Sequence, residues 1–429
     1  MRYGLVIPVA FSGLLWAQLI PARYTLSKVL DGGVSYLDDS TSYSGLASNS
    51  IIDIRAGGDS LLFFGTSRGL SLTPDLGTTY RSYVTREVNL PEGGISALDL
   101  VSSMVVVAGL EDTVIGGSGE VMGAGLAYSM DSGNTWTYVE QPQERSGSDE
   151  FITFTWTGHT IQQLAVTTTI RNVTYDVAMS QGTIWAASWA SGLRQYNPAT
   201  DKWTPVPLPR DNDTTFSCDA IPEDYVLNTR DPSDGGHHNH KAFSVIAYDS
   251  LVWVGTAAGL NKGISDSATG CITWTHYKAQ WGNRPISGNW VVALHRQVTR
   301  DGTERIWAAT VNAEEPGERR GVSYTEDGGL TWYMTLLGER AHNFASSGDA
   351  IYVATDNGLY KSFDGLNWAR FRAATDIITG EEVWADQVYG VLFDTRNSTL
   401  WIGTPDGLAS TTNDGIEWEI ERSFVSTST

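Results

Sequence analysis

The sequence predicts an all-β fold, a seven-bladed β-propeller made of four-stranded antiparallel blades. Three observations support this prediction. A short element with an aromatic or aliphatic residue, small residues and threonine recurs along the chain and is followed by Gly-Leu. A polar turn that ends in an aromatic residue recurs as well. No stretch of the 429 residues shows a sustained helical period of apolar residues.

The first repeat defines about seven units. Each unit reads as an alternating apolar run, a second run that ends in the small-Thr element, a glycine turn, a third strand, a polar turn and a fourth strand. Four antiparallel strands form one blade of a propeller. Close copies of the element stand at 64–66, 253–256, 352–355 and 401–404, and looser copies at 107–109, 185–188 and 307–310. The predicted blades lie near residues 51–84, 94–139, 173–206, 243–278, 289–335, 342–372 and 386–424.

The predicted turn between the third and fourth strands carries a second motif, which is complete at 129–136 as Ser-x-Asp-x-Gly-x-Thr-Trp. Its carboxylate and hydroxyl can bond turn amides, its glycine supplies a positive φ, and its aromatic ring can pack between blades. This motif resembles the Asp box, or BNR repeat, of sialidase-like, xyloglucanase-like and sortilin-like propellers. The resemblance implies that the boxes lie away from the active face and are structural. The predicted box carboxylates are Asp75, Asp131, Asp327, Asp364 and Asp414.

Blades three and four depart from the Asp-box pattern at 196–203 and 265–274. Their second-strand element is more similar to that of sensor-type periplasmic propellers, whose repeats read Trp-x-Gly-Thr-x-x-Gly-Leu. Both groups of relatives share the propeller fold, so the resemblance, which spans residues 51–424, is specific for architecture and not for activity.

The N-terminal residues 1–17 are predicted to be a signal peptide. Arg2 precedes an apolar run from Leu5 to Trp16, and Ala17 stands at a suitable cleavage position. No later segment approaches the roughly 20 apolar residues that span a bilayer. We therefore expect no membrane span and a secreted, periplasmic or cell-surface protein, with a lead-in segment at 18–50 and a tail at 425–429.

The charge of the chain limits its partners. It has 28 basic and 49 acidic residues, a formal net charge of -21, which repels the phosphates of nucleic acids. The sequence therefore predicts a glycan or protein partner, within a larger surface assembly as one option, and no nucleic acid.

Two sets of residues suggest cross-links or metal binding. Cys218 and Cys271 are an even pair in an exported chain and predict a disulfide, two free thiols being the alternative. The loop 231–240 concentrates histidines beside carboxylates, and its oxygen and nitrogen donors suit calcium or a transition metal. The alternative is a solvated polar loop, and the predicted function requires no cofactor. The candidate metal ligands are His237, His238, His240 and Asp234.

Long connections at 110–124, 140–172, 207–242, 279–289, 311–320 and 373–385 are predicted to open on one face of the propeller, where ligands usually bind. The first expectation is a non-catalytic exported propeller that binds a glycan or protein there, or serves as a scaffold. The alternative is a sialidase- or xyloglucanase-like glycoside hydrolase that uses two face carboxylates. The absence of the sialidases' N-terminal Arg-Ile-Pro element counts against a sialidase. The candidate ligand-binding aromatics are Trp156, Trp189, Trp281 and Trp384, and the candidate catalytic carboxylates are Glu314, Glu315, Asp356 and Asp406.

Overall fold

A computed structural model describes residues 42–83, 88–144, 150–311, 315–371, 374–376, 378–380, 382–383 and 386–422. The predicted signal peptide, the tail and most of the lead-in segment lie outside the described residues, as do Glu314 and Trp384. In the described part of the chain, no helix has the length and apolar character that crossing a membrane requires.

The first four sheets of consecutive antiparallel strands, numbered I to IV in chain order, come from residues 42–277. Sheet I contains β2 (Ile51–Gly57), β3 (Leu61–Thr66), β4 (Gly69–Thr73) and β5 (Arg81–Tyr83), with β1 (Ser42–Ser44) outside β5. Sheet II contains β6 (Gly94–Val101), β7 (Met104–Ile115), β8 (Ser118–Ser129) and β9 (Thr137–Val139). Sheet III contains β12 (Thr174–Ser180), β13 (Thr183–Ser188), β14 (Gly192–Asn197) and β15 (Lys202–Pro205). Sheet IV contains β18 (Ala242–Tyr248), β19 (Leu251–Thr256), β20 (Gly259–Ser265) and β21 (Ile272–Tyr277), with β16 (Thr215–Phe216) outside β21.

Three more such sheets, V to VII, follow. Sheet V contains β22 (Trp290–Val298), β23 (Glu304–Val311), β24 (Gly321–Thr325) and β25 (Tyr333–Thr335). Sheet VI contains β26 (Ala341–Ser347), β27 (Ala350–Thr355), β28 (Gly358–Ser362) and β29 (Ala369–Arg370). Sheet VII contains β30 (Gly390–Asp394), β31 (Thr399–Thr404), β32 (Gly407–Thr411) and β33 (Glu419–Glu421).

A smaller sheet, the annex, lies outside this series. It consists of β10 (Phe151–Trp156), β11 (His159–Leu164) and β17 (Val226–Leu227). Short 3₁₀ helices lie in the same long connections, at Cys218–Ala220, Pro232–Asp234 and His238–His240. The predicted long connections 140–172 and 207–242 therefore contain structure of their own.

The first strands of sheets I to VII pack on one another in cyclic order. β2 contacts β6, and the series continues through β12, β18, β22, β26 and β30, which contacts β2 again. Side chains of sheets VII and I meet at this last contact: the rings of Phe64 and Trp401 lie 6.1 Å apart, and Arg396 donates to the carbonyl of Gly57 at 2.7 Å. This order places the first strands around a common axis.

Small residues in the second strands allow neighbouring sheets to approach. A Cβ atom on Gly255 would lie 2.3 Å from Ser244 Oγ and 2.4 Å from the carbonyl oxygen of Val291 in the next sheet. A Cβ atom on Gly403 would lie 2.6 Å from the carbonyl oxygen of Ile51. A real Cβ atom essentially never lies this close to another heavy atom, so these positions require glycine.

Aromatic residues of the two repeats fill the space between sheets. Trp253 in β19 is 1% exposed and lies 6.2 Å from Trp332, which ends the polar turn of the next sheet. Trp307 in β23 contacts Trp368 of the following sheet at the same distance, 6.2 Å. The second-strand ring of one sheet thus packs on the turn ring of the next, and both repeats contribute to one core.

Candidate functional site

The polar turns share one hydrogen-bond pattern. In the turn 129–136, Ser129 Oγ donates to Asp131 Oδ1 at 2.8 Å and accepts from the N–H of Gly133 at 2.8 Å. The N–H and Oγ1 of Thr135 donate to the two carboxylate oxygens of Asp131 at 2.8 and 2.7 Å, and these bonds hold the pKa of Asp131 below its usual value. Asp75 and Asp327 accept the same set of bonds, and Asp364 a shortened set. These carboxylates are committed to their turns.

The last turn corrects one predicted residue, Asp414. Thr411 Oγ1 donates to Asn413 Oδ1 at 3.0 Å, and the N–H of Glu417 donates to the same oxygen at 2.9 Å. Asn413 therefore occupies the place of the box carboxylate. Asp414 is the next residue, with φ of 61°, and pairs with Lys361 at 2.6 Å. The prediction shifted the motif by one residue because two threonines, 411 and 412, stand side by side.

Six of the first strands carry a β-bulge at the same place. The unpaired bulge residues are Ile52, Ser96, Tyr175, Phe243, Val292 and His342. The residues that directly follow them occupy equivalent positions and include Asp53, Asp176 and Asn343. Arg55 in β2 and Asp99 in β6 lie two residues beyond these positions. Because side chains two residues apart share one face of a strand, both lie on the same face as the residue that follows the bulge.

Four of these residues form a charged group, the channel cluster, made of Asp53, Arg55, Asp99 and Asp176. Arg55 Nη1 donates to Asp53 Oδ1, and the same oxygen accepts a 3.0 Å bond from Asn343. Burial raises the pKa of Asp53 and of Asp99 against the opposing charge of Arg55. Burial likewise raises the pKa of Asp176 to about 7. Arg55 thus contacts Asp53, and its charge also acts on Asp99 and Asp176. None of the four was predicted as a site residue.

Aromatic side chains cluster where the first strands of neighbouring sheets begin. Trp189 in the β13–β14 turn lies 5.5 Å from Phe243, and Phe243 lies 5.6 Å from Trp290 at the start of β22. Lys241 Nζ lies 4.5 Å from the Trp189 ring and pairs with Asp231. Trp189 and Trp290 are half-buried. We call Trp189, Lys241, Phe243 and Trp290 the mouth cluster.

Two of the predicted long connections are held by specific contacts. The β7–β8 hairpin continues beyond sheet II to a tip where Val114 is 74% exposed. Its side is held by Arg171, whose guanidinium lies 2.8 Å from Glu120. The connection to β18 is tied to the β20–β21 turn because Cys218 and Cys271, the predicted pair, are bonded with Cα atoms 5.8 Å apart.

The predicted ligand-binding tryptophans fall into different environments. Trp189 belongs to the mouth cluster. Trp281 is half-buried, 5.0 Å from the His276 ring and 5.5 Å from Lys278 Nζ. Trp156 is 5% exposed and stacks on Phe216 at 6.0 Å within the core between the annex and sheets III and IV. Its prediction as a ligand-binding residue is wrong, because no face of its ring is open.

The predicted catalytic carboxylates that the structure describes face cations. Glu315 lies 4.0 Å from Lys278 Nζ, and Asp406 lies 3.0 Å from Arg422. Asp356 accepts a 2.8 Å bond from His342 Nε2. Burial acts to raise the pKa of Asp356, but the bond and charge of His342 outweigh it and hold that pKa below its usual value. The general acid of a glycosidase needs the opposite shift.

The histidine loop uses its side chains internally. His240 is fully buried: Nδ1 accepts from the N–H of Asn228 at 3.0 Å, and Nε2 donates to the carbonyl of Leu208 at 3.2 Å. Burial lowers the pKa of His240 to about 3. Both ring nitrogens are occupied, which corrects its prediction as a metal ligand.

The other candidate ligands of this loop are spread out. His237 lies 3.9 Å from Asp211, His238 lies 3.4 Å from Asp231, and Asp234 is exposed. Within the part of the chain that the structure describes, no group of three or more His, Cys, Asp or Glu side chains is placed to hold a metal ion. Metal binding by the loop stays a prediction.

Comparison with known proteins gives similarity of fold. No family model matches the chain, and no curated protein matches it. The extracellular domain of a candidate hybrid two-component system from B. thetaiotaomicron is 14% identical, with a TM-score of 0.50 over 85% of this chain and 38% of that chain. An ancestral GH74 enzyme is 13% identical, with a TM-score of 0.50 over 88% of this chain and 48% of that chain. The chain thus spans less than half of either structure, and it has the β-propeller fold.

Proposed function

We propose that this chain is an exported, non-catalytic propeller that binds a glycan or protein partner at its loop-rich face. In this proposal sheets I to VII are the seven blades of one closed ring, and their polar turns are Asp boxes. The cyclic packing of the first strands and the shared turn geometry support these two points. The apolar N-terminal segment and the Cys218–Cys271 bond support export, because disulfides persist in oxidising compartments.

The observation that carries the binding proposal is the mouth cluster. It joins two half-buried indole rings to a lysine, itself paired with Asp231, at the end of the axis where the long connections gather. Flat rings with polar groups at their edge stack on sugar rings and also anchor protein partners. Because Asp231 and the ring of Trp189 hold Lys241, the cluster is formed before any partner arrives, which lowers the cost of ordering it.

A glycan array tests this proposal when each spot is scored for both retention and reducing-end release. We expect retention without release, and at least tenfold weaker retention by Trp189→Ala. Trp203→Ala is the matched control, since Trp203 is also half-buried but lies in the outer strand β15. A folded Trp189→Ala variant that binds as well as the parent chain would refute the role of the mouth cluster.

A glycoside hydrolase is the second candidate, and one observation favours it. Asp176, with its pKa raised to about 7, lies near two other channel carboxylates, and a general acid needs a raised pKa. One of the similar structures is a GH74 enzyme. Release of reducing ends that disappears in Asp176→Asn would support this candidate over the first.

A further inference from the structure

The annex sheet ends in a strand with an unpaired edge. β10 pairs with β11 along its whole length, from Phe151 opposite Leu164 to Trp156 opposite His159. β11 pairs on its other side with β17. Among the residues that the structure describes, no strand pairs with the second edge of β10.

The blade edges are protected in ways that β10 is not. The outer strands β9, β25, β29 and β33 have only two or three residues, β15 contains Lys202 and Pro205, and β1 and β16 cover sheets I and IV. Short, charged, proline-containing or covered edges prevent unwanted strand pairing. β10 has six residues, Phe-Ile-Thr-Phe-Thr-Trp, with no charge and no proline. It is the kind of edge that accepts another strand.

The turn that joins β10 to β11 shows which backbone groups point outward. Thr157 and Gly158 form a two-residue turn with φ of 47° and 88°, typical of type I′. Such a turn is closed by a hydrogen-bonded pair of residues, here Trp156 and His159. Along an antiparallel ladder, hydrogen-bonded pairs alternate with pairs whose backbone groups point away from the partner strand. The N–H and C=O groups of Thr155 and Thr153 therefore point away from β11, toward the open edge.

One face of β10 is packed against the core. Side chains two apart share a face, and the inner face of β10 carries Phe154 and Trp156, which pack into the core with Phe216 and Ile161. The side chains of Thr153 and Thr155, on the other face, are exposed. An incoming strand would thus meet a preformed edge rather than a loop that must first become ordered.

We propose that β10 is a docking edge for an extended segment of another protein, which joins the annex as an additional β-strand. The unpaired backbone groups require an extended backbone as the occupant. The half-buried Ile152 and Phe154 on the inner face favour apolar residues at alternate positions of that segment. A second copy of this chain is disfavoured because each copy carries a net charge of -21, which instead attracts a segment with basic flanks.

The proposal is tested with an array of labelled ten-residue peptides that alternate apolar residues with threonine between lysine pairs. Thr153→Pro is the decisive variant: it removes an outward N–H but no bond to β11, and proline is tolerated at strand edges. Thr153→Val is the matched control, since it keeps that N–H. We expect the parent chain and Thr153→Val to bind array peptides, with at least tenfold loss in Thr153→Pro and in peptides N-methylated at alternate amides.

The other outcomes have definite meanings. Equal binding by a folded Thr153→Pro variant, or no binding of any array peptide by the parent chain, would overturn the proposal. A dimer of the parent chain in sedimentation that Thr153→Pro abolishes would overturn it in favour of pairing between two copies. Trp189→Ala should leave peptide binding unchanged, so failure at this edge is distinguishable from failure of the mouth cluster.

Discussion

Aspartate residues in this protein meet two opposite electrostatic environments. In the polar turns an exposed carboxylate such as Asp131 accepts several hydrogen bonds, and its pKa falls. In the channel cluster burial dominates, and the pKa of Asp176 rises to about 7. The motif identified the turn carboxylates because their spacing is local. It missed the channel cluster because a β-bulge in the first strands interrupts the two-residue alternation of side chains, so the sequence pattern does not show which residues face the axis.

The corrected last turn gives a prediction for two adjacent residues. Asn413→Ala removes the acceptor for Thr411 Oγ1 and the N–H of Glu417, so we expect it to lower the free energy of unfolding by about 1–2 kcal/mol. Asp414→Asn removes only an exposed ion pair with Lys361, which is worth up to about 1 kcal/mol, and asparagine tolerates the positive φ. Urea denaturation measures both. A larger effect at 414 than at 413 would contradict the assignment.

The channel cluster predicts a pH dependence of stability. Asp176 has a pKa of about 7 in the folded chain against an ordinary value of 3.8. Between these values the folded state holds a proton that the unfolded state releases, so the stability that Asp176 contributes is present at low pH and is lost as pH rises through 7. Asp53, Arg55, Asp99 and His295 face the same space, and the charge of Arg55 limits the effect.

Replacing the carboxyl by an amide should remove this dependence. We expect the unfolding free energy of Asp176→Asn to rise relative to the parent chain between pH 4 and pH 8, by about 1–3 kcal/mol, since one pKa unit corresponds to roughly 1.4 kcal/mol and neighbouring charges reduce the total. Asp59→Asn, which removes one carboxylate from an exposed turn, is the control. A difference between Asp176→Asn and the parent chain that stays constant with pH would contradict the raised pKa.

The strands differ in how far their sequences reveal them. Repeated elements such as 253–260 combine a buried ring, a glycine that permits close approach, and a tight turn, so each copy supports the others. The annex has no copy elsewhere in the chain and was predicted only as a long connection. Its one local signal was Thr157-Gly158 between alternating runs, which is a hairpin pattern. β17 could not be predicted, because its pairing depends on a distant strand.

The disulfide joins the segment that leads into sheet IV to a turn of that sheet, and we expect it to stabilise the folded chain. Cys218 and Cys271 are 53 residues apart, and closing a loop of that length restricts the unfolded chain. We expect Cys218→Ser with Cys271→Ser to lower the free energy of unfolding by about 2–5 kcal/mol. Thermal unfolding with and without reductant measures the effect. Reductant should shift the parent chain and leave the double variant unchanged, and an equal shift in both would contradict this account.

At the scale of the whole molecule, the repeated sheets I to VII and the segments outside them are stabilised in different ways. Sheets I to VII are held by the same inter-sheet contacts repeated around the axis, and sheet VII meets sheet I through side chains such as Trp401. The hairpin beyond Leu110, the annex and the disulfide-linked connection all belong to sheets II to IV. Such a concentration on three of the seven sheets favours a binding surface that is asymmetric about the axis.

Amide hydrogen exchange tests the central claim most directly. It is measured with and without the glycan that binds the protein most strongly on the glycan array. We predict slower exchange on binding at the mouth, in residues 110–123, 189–191 and 237–241, with no change in the polar turns at 129–136 and 325–332 on the opposite side of the ring. Protection confined to those polar turns would contradict a binding function for the loop-rich face.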